Sequence, residues 1–122
     1  MIIGIGTDLV ENQRLESWLS QPRLLEKYFT AAERADAAAG GYPAASLAAR
    51  FAAKEAFGKA VGTGLAGLKL SDIETLRDQR GKPWLELGPS ALEALKNAGG
   101  RRVHLSLSHE KGYSLAFVIV ED

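Results

Sequence analysis

The stretch from Ala44 to Val61 constrains this chain more than any other. It is compatible with one long helix and is apolar or alanine almost throughout, yet it carries Arg50, Lys54, Glu55 and Lys59. A helix that is apolar nearly all round is normally buried, and long charged side chains are almost never fully buried without partners. These four residues therefore sit at the rim of a core or line a cleft. At ~100° per residue, Arg50 and Lys54 share one line of the helix. Glu55 and Lys59 share another, roughly 140° away. Each pair spans about 6 Å along the axis, comparable with the reach of a phosphate or metal site. The plainer alternative is a solvated rim, with Glu55 and Lys59 forming a helical ion pair worth ~0.2–0.5 kcal/mol. Both readings stand at this point.

The 122 residues suffice for one domain spanning residues 1–122. With 15 basic and 15 acidic residues the net charge is zero, which argues against broad nucleic-acid binding but permits a local basic pocket. There is no cysteine, so a disulfide framework and a thiolate metal site are excluded. Met1-Ile2-Ile3 leads straight into Gly4-Ile5-Gly6 without the pattern of a signal peptide. No apolar run approaches the ~20 residues needed to cross a bilayer. A cytoplasmic protein with no membrane or nucleic-acid partner is the expectation.

Ile2 to Val10 reads as a strand in which Gly4 and Gly6 mark a bulge or a close backbone approach. Asp8 is a carboxylate in this otherwise apolar strand, either an outward-facing residue or a metal or acid–base group. Glu11 to Leu19 reads as a helix with Leu15, Trp18 and Leu19 on one side, and Pro22 can start another helical turn. Thr30-Ala31-Ala32-Glu33 is a capping box opening a helix to about Ala39, with a structural role only. Gly62-Thr63-Gly64 follows the long helix. Phosphate fingerprints place their glycines before a helix, so the loop by itself reads as a C-cap and turn. Ser71–Arg77 and Trp84–Leu87 read as a hairpin across Asp78–Pro83, and Pro89–Asn97 as a short helix. Val103–His109 alternates strictly, and Tyr113–Val120 is an apolar, central strand. The expected class is α+β with a mainly antiparallel sheet and helices packed on it.

The titratable candidates are Asp8, Glu55, His104 and His109. Two histidines on one strand and no cysteine disfavour zinc. Two carboxylates from separate elements suit Mg²⁺, which takes oxygen ligands together with water and substrate phosphate. Lys and Arg nearby would hold further phosphate oxygens. Ser106 and Ser108 beside His109 set no nucleophilic geometry.

Three stretches in order resemble one family: Gly4-Ile5-Gly6-Thr7-Asp8-Leu9-Val10-Glu11 with Arg14; Arg50-Phe51-Ala52-Ala53-Lys54-Glu55-Ala56-Phe57-Gly58-Lys59-Ala60 with Gly62-Thr63-Gly64; and Leu105-Ser106-Leu107-Ser108-His109-Glu110 with Tyr113. Together they are similar to the 4′-phosphopantetheinyl transferase superfamily, in its short holo-[acyl-carrier-protein] synthase branch. The resemblance implies Mg²⁺-dependent transfer of phosphopantetheine from coenzyme A to a serine of an apo acyl carrier protein, with release of adenosine 3′,5′-bisphosphate, a step that serves fatty acid biosynthesis or polyketide synthesis. It implies that Asp8 and Glu55 ligate the metal and that Lys59 meets the transferring phosphate. Arg50, Gly62, Gly64, Lys82, Pro83 and His109 then lie around coenzyme A, with His109 grouped among the catalytic residues. Arg14 and Arg23 face the acidic carrier, and three copies assemble as a homotrimer with sites at the subunit interfaces. Either Asp8 or Glu55 could take the serine proton. Two other classes remain as alternatives: a non-catalytic coenzyme A or nucleotide-binding module on the same fold, and a plain structural oligomer.

Overall fold

The computed structural model describes residues 1–122. Strand β1 (Ile2–Glu11) is followed by a 3-10 segment (Asn12–Ser20), then helices α1 (Pro22–Tyr28), α2 (Ala31–Ala39) and α3 (Pro43–Val61). A 3-10 turn (Leu70–Asp72) leads into β2 (Ile73–Arg77) and β3 (Pro83–Leu87). Helix α4 (Pro89–Asn97), β4 (Arg102–Glu110) and β5 (Tyr113–Glu121) complete the chain. One antiparallel sheet has the order β1-β5-β4, with the last strand central as its apolar sequence requires, and β2-β3 forms a separate hairpin.

Helix α3 lies across the larger sheet, and two glycines set how closely. A Cβ on Gly4 would lie 1.9 Å from the Ala60 carbonyl oxygen, and one on Gly6 would lie 1.9 Å from that of Ala56. The glycines in β1 thus mark a close backbone approach, with a register irregularity between Ile2 and Gly4. Ala56 and Ala60 are buried at this contact, because only small side chains fit where the backbones meet, and Ala52, Phe57, Val118 and Val120 are fully buried in the core. The opposite face of this sheet is open. Ile5 and Leu9 are 58% and 59% exposed, and Tyr113 and Phe117 lie beside them on β5.

Two local readings change. The region expected to be an α-helix from Glu11 is a 3-10 segment. Its three-residue period puts Asn12, Leu15 and Trp18 on one line: Asn12 accepts from the buried Ser114 hydroxyl at 2.6 Å, Leu15 is wholly buried, and Trp18 packs against Tyr28, Phe29 and Phe51. The strand expected from Ser71 begins at Ile73, because Asp72 turns aside to accept from the Ser90 amide and hydroxyl. The Thr30–Glu33 capping box forms as expected. No helix is long and apolar enough to cross a membrane.

Candidate active site

Asp8 lies on the inner face of β1, two residues beyond Gly6 and paired with Ala116. The close contact between β1 and α3 therefore brings its carboxylate toward Glu55. Lys59 extends from the next turn of α3, where its ammonium donates to the Thr7 carbonyl at 2.9 Å and to Asp8 Oδ1 at 3.2 Å. The intrahelical Glu55–Lys59 ion pair is not formed; the lysine reaches across to the strand instead. Partial burial raises the proton affinity of Glu55, and the Asp8 charge raises it further, against the opposing pull of Lys59 and Arg14. Two converging carboxylates with one lysine make a site of the right charge for a hard divalent cation, which favours oxygen donors. No third His, Cys, Asp or Glu joins them, so further ligands would come from water and a phosphate.

Arg50 and Lys54 do not lie on a solvated rim. Both are buried, at 1% and 0% exposure. Arg50 donates to the Ser46 carbonyl and hydroxyl and pairs with Asp36. Its Nε is buried without a partner. The guanidinium lines a cleft of about 460 Å³ together with Arg77, Ser46, Ser108 and His109. Burial lowers the proton affinity of Arg50, and the Arg77 charge acts in the same direction. Two guanidiniums facing one cleft with hydroxyls and an imidazole supply donors that suit an anion, beyond the Arg50 nitrogen that Asp36 already takes. His109 belongs to this second cluster. It sits on β4 opposite Ser114, while Asp8 sits two strands across opposite Ala116, a backbone separation of about 12 Å. On one chain His109 is therefore out of hydrogen-bonding reach of Asp8.

The glycine loop has a defined task. Gly62 is left-handed at φ 86° and caps α3. The amides of Gly62, Thr63 and Gly64 bond the Lys59 and Gly58 carbonyls. Those N–H groups are engaged by the helix end, so a phosphate contact from this loop would not come through them. Gly58 is required here, since a Cβ would lie 2.3 Å from the Gly64 carbonyl oxygen. At the hairpin tip, Asp78 Oδ1 accepts from the Arg80 and Lys82 amides. Arg77 donates to the Gly81 carbonyl at 3.0 Å and is paired in register with Pro83. The Lys82 side chain is exposed. Arg14 stacks over the Phe51 ring at 5.4 Å beside Glu55, and Arg23 lies with Lys27 in an exposed depression on α1.

The family model for the 4′-phosphopantetheinyl transferase superfamily matches residues 4–118. The chain belongs to this superfamily. It is 54% identical to a holo-[acyl-carrier-protein] synthase of Treponema denticola, with 99% of both chains covered, and 45% identical to one of Treponema pallidum, covering 99% of this chain and 97% of that one. The crystal structure of the holo-[acyl-carrier-protein] synthase of Neisseria meningitidis superposes over 100% of both chains with a TM-score of 0.88 and 40% identity. That of Bacillus anthracis, in complex with CoA (3′,5′-ADP), gives a TM-score of 0.80 and 39% identity, covering 98% of this chain and 96% of that one.

Two features of this transferase escaped the motif reading. Arg77 faces Arg50 only because the hairpin folds back, and nothing in its local sequence marks it. Lys54 resembles its charged neighbours in sequence, yet it is fully enclosed and bonds Glu33, Leu70 and Ile73. The Thr30–Glu33 capping box was the available signal, because the capping oxygen of an N3 glutamate can accept a second bond, here from Lys54, while the other oxygen takes the Thr75 amide.

Proposed function

We propose that Asp8, Glu55 and Lys59 carry, and Arg50, Arg77 and His109 anchor, the reaction of this family: transfer of 4′-phosphopantetheine from coenzyme A to a serine of an apo acyl carrier protein. The observation that carries the assignment is the convergence of Asp8 and Glu55 on one side of α3, with Lys59 between strand and helix.

The donor set fits Mg²⁺, held by Asp8 and Glu55. When bound, the ion supplies charge neutralisation for the diphosphate. Lys59 holds a phosphate oxygen and offsets negative charge that grows as the phosphorus–oxygen bond to the departing bisphosphate nucleotide breaks. Asp8 or Glu55 accepts the serine proton as the hydroxyl attacks, either directly or through an intervening water. The buried Arg50, with Arg77, receives the phosphate-bearing nucleotide end of coenzyme A, and His109 closes that cleft.

Arg50 and Glu55 leave α3 about 140° apart, so the two clusters diverge on a single chain. The open apolar face of Ile5, Leu9, Tyr113 and Phe117 seats a second copy, and three-fold association sets the Arg50 cleft of one copy against the Asp8–Glu55 pair of its neighbour. Arg14 and Arg23 meet the acidic helix of the carrier, where local positive charge steers association even in a neutral chain. The lack of a membrane-crossing helix is consistent with action in the cytoplasm.

The test is a mass assay with purified protein, coenzyme A, Mg²⁺ and apo carrier. The carrier gains one phosphopantetheine arm, and Asp8→Ala or Glu55→Ala abolishes the gain. Turnover that persists in both variants, or undiminished after chelation, removes the metal assignment. Coenzyme A binding without modification of any carrier would identify a binding module instead.

A further inference from the structure

The enclosed Glu33–Lys54 ion pair lies outside both clusters, and its bonds go to an unusual place. Glu33 and Lys54 side chains are both 0% exposed and 2.8 Å apart. The Lys54 ammonium spends its other two donors on the Leu70 and Ile73 carbonyls, at 2.9 and 2.5 Å. Glu33 accepts from the Thr30 amide through one oxygen and from the Thr75 amide, at 3.1 Å, through the other.

Hydrogen bonds from the Asp78 amide to Lys82 and from the Gly88 amide to Asp72 fix the pairing of the hairpin. Between them, alternation turns the backbone groups of Ile73 and Thr75 away from β3. The ion pair thus satisfies the free edge of β2, in the place where a third strand would otherwise lie. Thr30 Oγ1 adds a bond to Glu74 on the same strand. The strand held in this way ends at Arg77, which carries the hairpin tip and faces Arg50 across the nucleotide cleft.

We infer that Glu33 and Lys54 are positioning residues for coenzyme A binding: they set the β2–β3 hairpin, and so Arg77, against Arg50 on α3. This rests on the assignment of the Arg50–Arg77 cleft to the nucleotide end. A role in stability alone is the rival account, and the two separate cleanly. Replacing a buried ion pair by apolar residues of similar volume is often neutral or stabilising, but here it also leaves the Leu70 and Ile73 carbonyls and the Thr30 and Thr75 amides without partners, so Glu33→Leu/Lys54→Met melts lower than wild type and is assayed at a temperature where it remains folded.

The experiment measures melting temperature, kcat and KM for coenzyme A, and the Kd of adenosine 3′,5′-bisphosphate, on the full-length protein. The double variant melts lower but is folded at the assay temperature, with KM and Kd raised about tenfold or more, since displacing a positioned group by about 1 Å is costly; kcat stays within about threefold, because Asp8, Glu55 and Lys59 are untouched. Wild-type KM and Kd in a folded double variant overturn the proposal, as does a loss confined to kcat. Arg77→Ala is measured alongside. If it raises KM while the double variant does not, positioning fails and the cleft assignment stands; if neither raises KM, both fall. Should the double variant not fold, Glu33→Asp keeps the charge pair and withdraws the carboxylate by one methylene. A raised KM with unchanged kcat then supports the proposal, and wild-type KM overturns it.

Discussion

Gly6→Ala tests whether the fold delivers Asp8 to Glu55. The added Cβ would stand 1.9 Å from the Ala56 carbonyl oxygen and 2.8 Å from the Ala60 nitrogen. Both are backbone atoms of a buried helix and cannot swing aside. A close carbon–oxygen contact in proteins is about 3.3 Å, so β1 must withdraw from α3 by about 1.4 Å at this point. Overpacking of this kind costs about 1–3 kcal/mol. For 122 residues, at about 2.1 cal/mol/K per residue, each kcal/mol lowers the melting temperature by about 4 °C, giving a fall of roughly 4–12 °C. The catalytic effect is larger in proportion. Asp8 follows Gly6 by two residues on the same face, and a misplacement of about 1 Å can cost about a hundredfold in rate. The carrier mass assay at saturating coenzyme A should show that loss, and thermal unfolding should show the modest destabilisation. Wild-type kcat in Gly6→Ala would refute the claim that this glycine sets the carboxylate geometry.

Glu55→Gln should stabilise the protein at neutral pH while abolishing turnover. Burial, then the Asp8 charge, raises the Glu55 carboxyl in the folded state, so the folded protein binds its proton more tightly than the unfolded chain. Stability is therefore lost as pH climbs from the unfolded carboxylate range, about 4.3, through the raised folded value. Denaturant titrations should show the variant's advantage at pH 7 and none at pH values below that range; an equal difference at both ends would contradict the linkage. On the three-fold association proposed above, Phe117→Glu, which places a charge in the open apolar face, should shift sedimentation toward monomer, with activity falling in parallel because the two clusters separate. Arg23→Glu should raise KM for the acidic carrier and weaken its salt dependence while leaving KM for coenzyme A unchanged, read by steady-state kinetics across ionic strength.

Much of the fold was legible along the chain, because its signals are local. The capping box at Thr30, prolines at the first turns of α1, α3 and α4, the Gly62 cap and the alternation of β4 each follow from the backbone chemistry of a few neighbouring residues. The 3-10 segment was not legible. Leu15, Trp18 and Leu19 fit a helical stripe, and only burial of the Asn12 side chain against Ser114 selects the three-residue period. The charged residues of α3 show the same division. Helical periodicity separates Arg50 and Lys54 from Glu55 and Lys59, but it carries no information on what lies opposite each line. Lys54 is silent to ligands because Glu33 and two carbonyls enclose it, whereas Arg50, on the same line, helps to line a cleft.

By itself, then, the sequence determined the helices, the strand order's central member, the motif residues and the family they resemble. The tertiary structure alone decided which charges meet. Lys59 bonds Asp8, 51 residues away, instead of Glu55 one turn back. Arg77 meets Arg50, and Lys54 meets Glu33, through contacts made only when the hairpin and α2 close on α3. The physical reason is that a charge takes its function from the field and solvent access around it, and both are set by distant segments that local sequence does not describe.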